Sequence, residues 1–161
     1  MQQLLELTAG RPERVLDAGE PLLTEGEPPA HLYVLVEGRL VVRRGGDDFV
    51  AIDAPGACVG EMAVLLGRTH TASVVAVERT RVRVIEDAAA TLDDDPAILH
   101  AVATLLARRL DLVNHYVADL QHQYRDVDGG LGMVGEVLRT LASHHGDEVA
   151  PGSEREPDPL Y

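Results

Sequence analysis

The chain has 161 residues, of which 45% are hydrophobic and 25% charged, and its 27 acidic against 14 basic side chains leave a formal net charge of -13. That length suits one domain with a real core plus an appendage. The acidic field opposes phosphate backbones and anionic membranes at long range, so neither direct DNA binding nor a membrane partner is expected.

Aromatic residues are only 3% of the chain, so the core rests on Leu, Val and Ala. Cys58 is the single cysteine, which leaves no intramolecular disulfide and no paired-cysteine metal or redox motif. No run approaches the roughly 18 apolar residues of a membrane span. The N-terminus carries no basic segment followed by an apolar stretch, and a cytoplasmic location is expected.

In chain order, residues 1–12 hold a short amphipathic helix with Leu4, Leu5 and Leu7 on its apolar side. From 13 to 90 the texture becomes short β-branched runs: Leu32–Val36, Leu40–Val42, Phe49–Ile52, Ser73–Val77 and Arg81–Ile85. Turn signals separate them, among them Glu25-Gly26-Glu27-Pro28-Pro29, Glu37-Gly38 and Arg44-Gly45-Gly46-Asp47-Asp48. Short strands at a spacing of roughly 8 to 12 residues indicate a sandwich or a barrel.

Within this β region, Glu61–Leu66 suits one or two helical turns opening at Gly60-Glu61. Glycine lets backbone approach a ligand, helix-start amides face an anion, and a carboxylate accepts hydrogen bonds from sugar hydroxyls. The segment from Gly60 to Val74 therefore has the outline of a sugar-phosphate cradle.

A long helix is expected over 91–127, with Asp93-Asp94-Asp95-Pro96 as its start signal. Leu99, Ala103, Leu106, Leu110, Val113, Val117, Leu120 and Tyr124 make a heptad seam, with Val102, Leu105, Leu112 and Tyr116 on a neighbouring face. One face packs on the β domain and the other is free for a second chain, so a homodimer through 96–125 is expected; the bland reading lays both on the chain's own domain. A short helix over 128–146 and a disordered acidic tail over 147–161 complete the chain.

Three blocks resemble the cyclic-nucleotide-binding domains of the catabolite activator protein and of protein kinase A regulatory subunits. They are Leu16–Glu20 with Glu25-Gly26, Leu32–Leu40, and the phosphate-binding cassette, bounded here at 56–77 and centred on Gly60–Val74. The resemblance implies a mainly β fold with added α: an antiparallel β-barrel of the double-stranded β-helix or jelly-roll type, followed by a long dimerisation helix. It implies that Glu61 accepts a hydrogen bond from a ribose 2′-hydroxyl and that amides around Met62 and Ala63 face a cyclic phosphate. His70, just before Thr71-Ala72, stands where the family carries a phosphate-pairing arginine.

That replacement exchanges a permanent fork of donors for a ring that is mostly neutral near pH 7. The loss weakens binding by about one to two orders of magnitude without abolishing it. Thr71 adds a hydroxyl donor, while Arg68, beside Gly67, reads as an exposed loop arginine. Val113 and Asn114 match the helix positions that contact the purine in the activators. Val113 also belongs to the heptad seam.

The activators' helix-turn-helix has no counterpart here, so a signal would leave through a protein partner or the dimer. The expected function is a stand-alone sensor of cyclic AMP or cyclic GMP. The alternative is a relative that has lost nucleotide and serves as an interaction or scaffolding module. Catalysis is not expected: a cupin-type metal site needs more histidines than Thr69-His70-Thr71 provides, and no metal is implied. The remaining histidines, His31 among them, are expected to face solvent.

Overall fold

The structure, a computed structural model, describes residues 1–123. The helix expected over 128–146 and the tail expected over 147–161 lie outside the described residues. The chain divides into two compact units, Met1–Asp111 and Leu112–Tyr161; of the second, the described part is the end of one helix.

The elements follow as α1 (Gln2–Leu7), β1 (Glu13–Leu16), β2 (Pro21–Leu23), β3 (Leu32–Glu37), β4 (Leu40–Arg44), β5 (Asp47–Ile52) and β6 (Cys58–Val59). Then come α2 (Glu61–Leu66), β7 (Ser73–Ala76), β8 (Thr80–Ile85), α3 (Ala88–Asp94) and α4 (Pro96–Gln123). The strands form two four-stranded antiparallel sheets, ordered β1-β8-β3-β6 and β2-β7-β4-β5.

Strand β3 explains how the layers are built. Its side chains alternate between faces, and both faces are covered, so its sequence is an unbroken apolar run instead of an alternation. Leu32 and Val34 join Leu4, Ile85, Leu92, Ile98 and Val102 in a core beneath the helices. Tyr33 and Leu35 join Leu16, Leu40, Val74, Ala76 and Val82 in a second core between the sheets. On β8, by contrast, Arg81 and Arg83 point outward to Glu13, which is the half-wet strand that its alternating sequence predicts.

The sheets do not close into the expected barrel. Each retains two edges, β1 and β6 in one and β2 and β5 in the other, and no ladder joins the sheets among the described residues. The candidate closing strands are too short: β6 has two residues before Gly60 turns the chain into α2, and β2 has three with a register shift after Pro21. Proline brings no N–H to a ladder.

Asp95 separates α3 from α4. It is extended (φ -117°, ψ 90°), as the residue before a proline tends to be, and its Oδ1 accepts from the amides of Ala97 (3.0 Å) and Ile98 (3.1 Å). The start signal read at Pro96 thus has its physical cause, while α3 before it is a separate element.

On α4, Ile98, Ala101, Val102 and Leu105 recur at helical spacing and are buried. Leu99, Leu110 and Val113 of the heptad seam are exposed. The neighbouring stripe expected from Val102 to Tyr116 splits: Val102 and Leu105 are buried, whereas Leu112 and Tyr116 are exposed. No described helix is long and apolar enough to cross a membrane.

Candidate functional site

The candidate site is built on the turn from β6 into α2. Gly60 caps the helix in the left-handed region (φ 93°), where a Cβ would stand 3.0 Å from the backbone oxygen of His31. Glycine is therefore the residue that fits. The turn sends the next side chain, Glu61, inward, where it is 2% exposed. A surface glutamate capping a short helix would not be buried in this way.

A buried carboxylate needs a partner. Arg109, from α4, donates through Nη1 to Glu61 Oε1 and through Nη2 to the Cys58 carbonyl at 2.7 Å. Burial raises the Glu61 carboxyl above its ordinary range, and the Arg109 guanidinium opposes that rise. The Cys58 thiol is fully buried, and burial reinforced by the Glu61 charge holds it far above its usual value. It stays protonated and is not a nucleophile.

Past Glu61, the chain that lines the cavity is held by backbone bonds. The α2 helix closes at Gly67 (φ 61°), whose N–H donates to the Val64 carbonyl at 3.3 Å, while the Arg68 N–H donates to the Ala63 carbonyl at 3.1 Å. This pair of bonds is a Schellman cap. Two residues on, the His70 N–H donates to the Glu27 carbonyl (2.9 Å) and the Gly26 N–H donates to the His70 carbonyl (2.8 Å).

The His70 ring is 7% exposed. Burial lowers its pKa below 6.5, against an opposing pull from Glu27, so the ring is neutral at pH 7. Arg68 is exposed, and its guanidinium makes no hydrogen bond or ion pair with the described residues.

These groups line a cavity of about 140 Å3. Its lining brings together Gly60, Glu61, Met62, Ala63, His70, Thr71 and Ala72, over an apolar base that includes Leu23, Val42, Ile52 and Val74. Ala63 is buried, Ala72 half-buried, and Met62 and Thr71 are exposed. Val113 and Asn114 belong to the second unit, where both are exposed on α4.

Arg68 and Arg109 also line the cavity. Arg109 was not legible as a site residue, because its partner lies 48 residues away. The signal that pointed to it was the demand of an inward glutamate for a cation. His31 corrects its expected position: it is half-buried, sits edge-on to Tyr33 with ring centroids 6.2 Å apart, and its Nδ1 is buried without a hydrogen-bond partner among the described residues. Among the described residues no cluster of three or more His, Cys, Asp or Glu could hold a metal ion.

Chemically, the cavity brings the residues of the helix start, an imidazole and a guanidinium with no side-chain partner among the described residues together with an ion-paired carboxylate. The first group suits an anion and the second suits hydroxyls.

Comparison with known proteins agrees. Residues 13–91 match the family described as cyclic nucleotide-binding domain. The chain is 34% identical over 103 residues to the cyclic AMP receptor protein of Thermus thermophilus, covering 60% of this chain and 48% of that protein. It is 36% identical over 85 residues to a cGMP-dependent protein kinase of Caenorhabditis elegans, covering 53% of this chain and 11% of the kinase. The crystal structure of the Thermus thermophilus catabolite activator protein superposes with a TM-score of 0.59 at 28% identity, over 74% of this chain and 59% of that one. The chain thus spans about half the length of the receptor protein it matches.

Proposed function

We propose that the chain, whose residues 13–91 match the cyclic nucleotide-binding domain family, is a regulatory sensor of cyclic AMP or cyclic GMP. The observation that carries this reading is the buried Glu61, which lines the same cavity as the buried His70. Glu61 accepts a hydrogen bond from the ribose 2′-hydroxyl. The amides at the start of α2, around Met62 and Ala63, face the cyclic phosphate, with His70 and Thr71 as further donors.

The role is binding and not catalysis. Arg109 ties the cavity to α4, so a ligand that engages Glu61 competes for the carboxylate that Arg109 holds. That competition is a differential affinity for two arrangements of α4, which a sensor requires. The exposed Leu99, Leu110 and Val113 suit α4 to a second copy of the chain, and the signal passes on through that homodimer or a protein partner. Sedimentation of wild type against Leu110→Asp tests the dimer: the variant sediments as a monomer if the seam is the interface.

One observation favours a second reading, an interaction module without nucleotide. Glu61 is already neutralised by Arg109, and the cavity of about 140 Å3 is small beside the roughly 300 Å3 at which ligand pockets begin. Calorimetric titration with cyclic AMP and cyclic GMP, on wild type and His70→Arg, separates the two. Micromolar to sub-millimolar binding by wild type, tightened in the variant, is the result expected of a sensor. No binding by wild type at millimolar ligand, with binding gained in the variant, establishes the module instead.

A further inference from the structure

The cyclic-nucleotide reading leaves open which group answers the ligand's negative charge. Resting on that reading, we infer that Arg68, at the mouth of the cavity, pairs with the phosphate, and that His70 contributes only an N–H.

Two arginines line the cavity, and they differ in commitment. Arg109 has one arm on Glu61 and the other on the Cys58 carbonyl, and moving it to an anion would leave a buried carboxylate unpaired. The Arg68 guanidinium has no hydrogen bond or ion pair to break among the described residues. Its charge is available at no cost to the fold.

The backbone beneath Arg68 is also fixed. Gly67 adopts φ 61° with open space around the place where a Cβ would sit, so this glycine serves conformation and not close packing. The cap it forms ties the Arg68 amide to the Ala63 carbonyl, in the first turn of α2, and Ala63 lines the same cavity. Arg68 therefore leaves a defined point on the cavity rim, two residues before His70.

His70 is placed for a different task. Both backbone bonds to the 26–27 loop hold its ring inside the wall, where burial disfavours the charged form. A neutral imidazole gives an anion one hydrogen bond, whereas a guanidinium gives a charge-assisted fork. The arrangement divides between two residues what a single arginine does elsewhere.

The test is calorimetric titration of the full chain with cyclic AMP and cyclic GMP, comparing wild type, Arg68→Ala, His70→Gln and the double variant Arg68→Ala/His70→Arg. Arg68→Ala should weaken binding roughly 10- to 100-fold, and His70→Gln by less than about 10-fold. Arginine at position 70 in the double variant should restore most of the loss. Because the Arg68 side chain is exposed and has no partner among the described residues, its alanine variant should melt at the wild-type temperature, so the loss reports on ligand and not on folding. Wild-type binding that survives Arg68→Ala, with the larger loss in His70→Gln, overturns the assignment of Arg68 alone. Absence of binding by wild type overturns the sensor reading and this inference with it.

Discussion

The Glu61 and His70 portions of the cavity lining are stabilised in opposite ways. At Glu61 the side chains are already satisfied: the carboxylate, the Arg109 guanidinium and the Cys58 carbonyl close a network that needs no ligand. At His70 the backbone is satisfied and the side chains are not. The imidazole and the Arg68 guanidinium face the cavity without hydrogen bonds to the described residues. Mutation of the Glu61 side should therefore be read mainly in stability, and mutation of the His70 side mainly in affinity.

The largest test of that contrast is Arg109→Ala. Breaking a buried pair costs about 3–5 kcal/mol, and since Arg109 is 40% exposed, solvent recovers part of it, leaving about 2 kcal/mol by urea unfolding. Glu61→Gln should cost less, because the freed arginine can turn to water. The pH dependence has a definite sign. A carboxyl whose folded pKa lies above the ordinary 4.5 contributes stability below that pH and loses it as pH rises through the folded value. Arg109→Ala should steepen that loss, and a flat profile would mean that the arginine is not the compensating charge.

The capping glycines come next. Gly60→Ala should cost about 2 kcal/mol and Gly67→Ala about 1 kcal/mol, because both residues are left-handed but only Gly60 would also press a Cβ against a carbonyl. Equal thermal shifts in the two variants would remove that distinction.

The smallest effect belongs to His70→Gln, under about 1 kcal/mol at pH 7 for a neutral ring without a hydrogen bond. Its pKa is depressed, so the stability it contributes is present above 6.5 and is lost as pH falls through the folded value. Glutamine should flatten the acid side of a melting-temperature profile. An unchanged slope would place the ring in solvent.

Much of this was legible where chemistry is local. Gly60-Glu61 announces a tight turn into a helix, and Asp95-Pro96 announces the start of another, because caps act over three or four residues. Strands β3, β4, β5, β7 and β8, with three or more hydrophobic residues in a run or a clear alternation, stand out for the same reason. What stayed hidden depends on distance or brevity. Arg109 reaches Glu61 across 48 residues, and nothing in its own neighbourhood, Ala107-Arg108-Arg109-Leu110, distinguishes it from the exposed Arg108 beside it. Strand β6 is two residues long and carries no period, and the open edges that replaced a barrel follow from such short pieces. The split of the α4 stripe after Leu105 was equally illegible: Leu112 and Tyr116 keep the helical spacing, yet nothing in the described residues covers them.

A cyclic nucleotide held in the cavity that Glu61 and His70 line should protect the backbone around it. Amide hydrogen exchange, read residue by residue with and without millimolar cyclic AMP or cyclic GMP, tests it directly. The account predicts slowed exchange at residues 60–63 and 68–72, with the distant β4–β5 turn at 45–48 unchanged. Exchange at 60–72 that is the same with and without either nucleotide would contradict it.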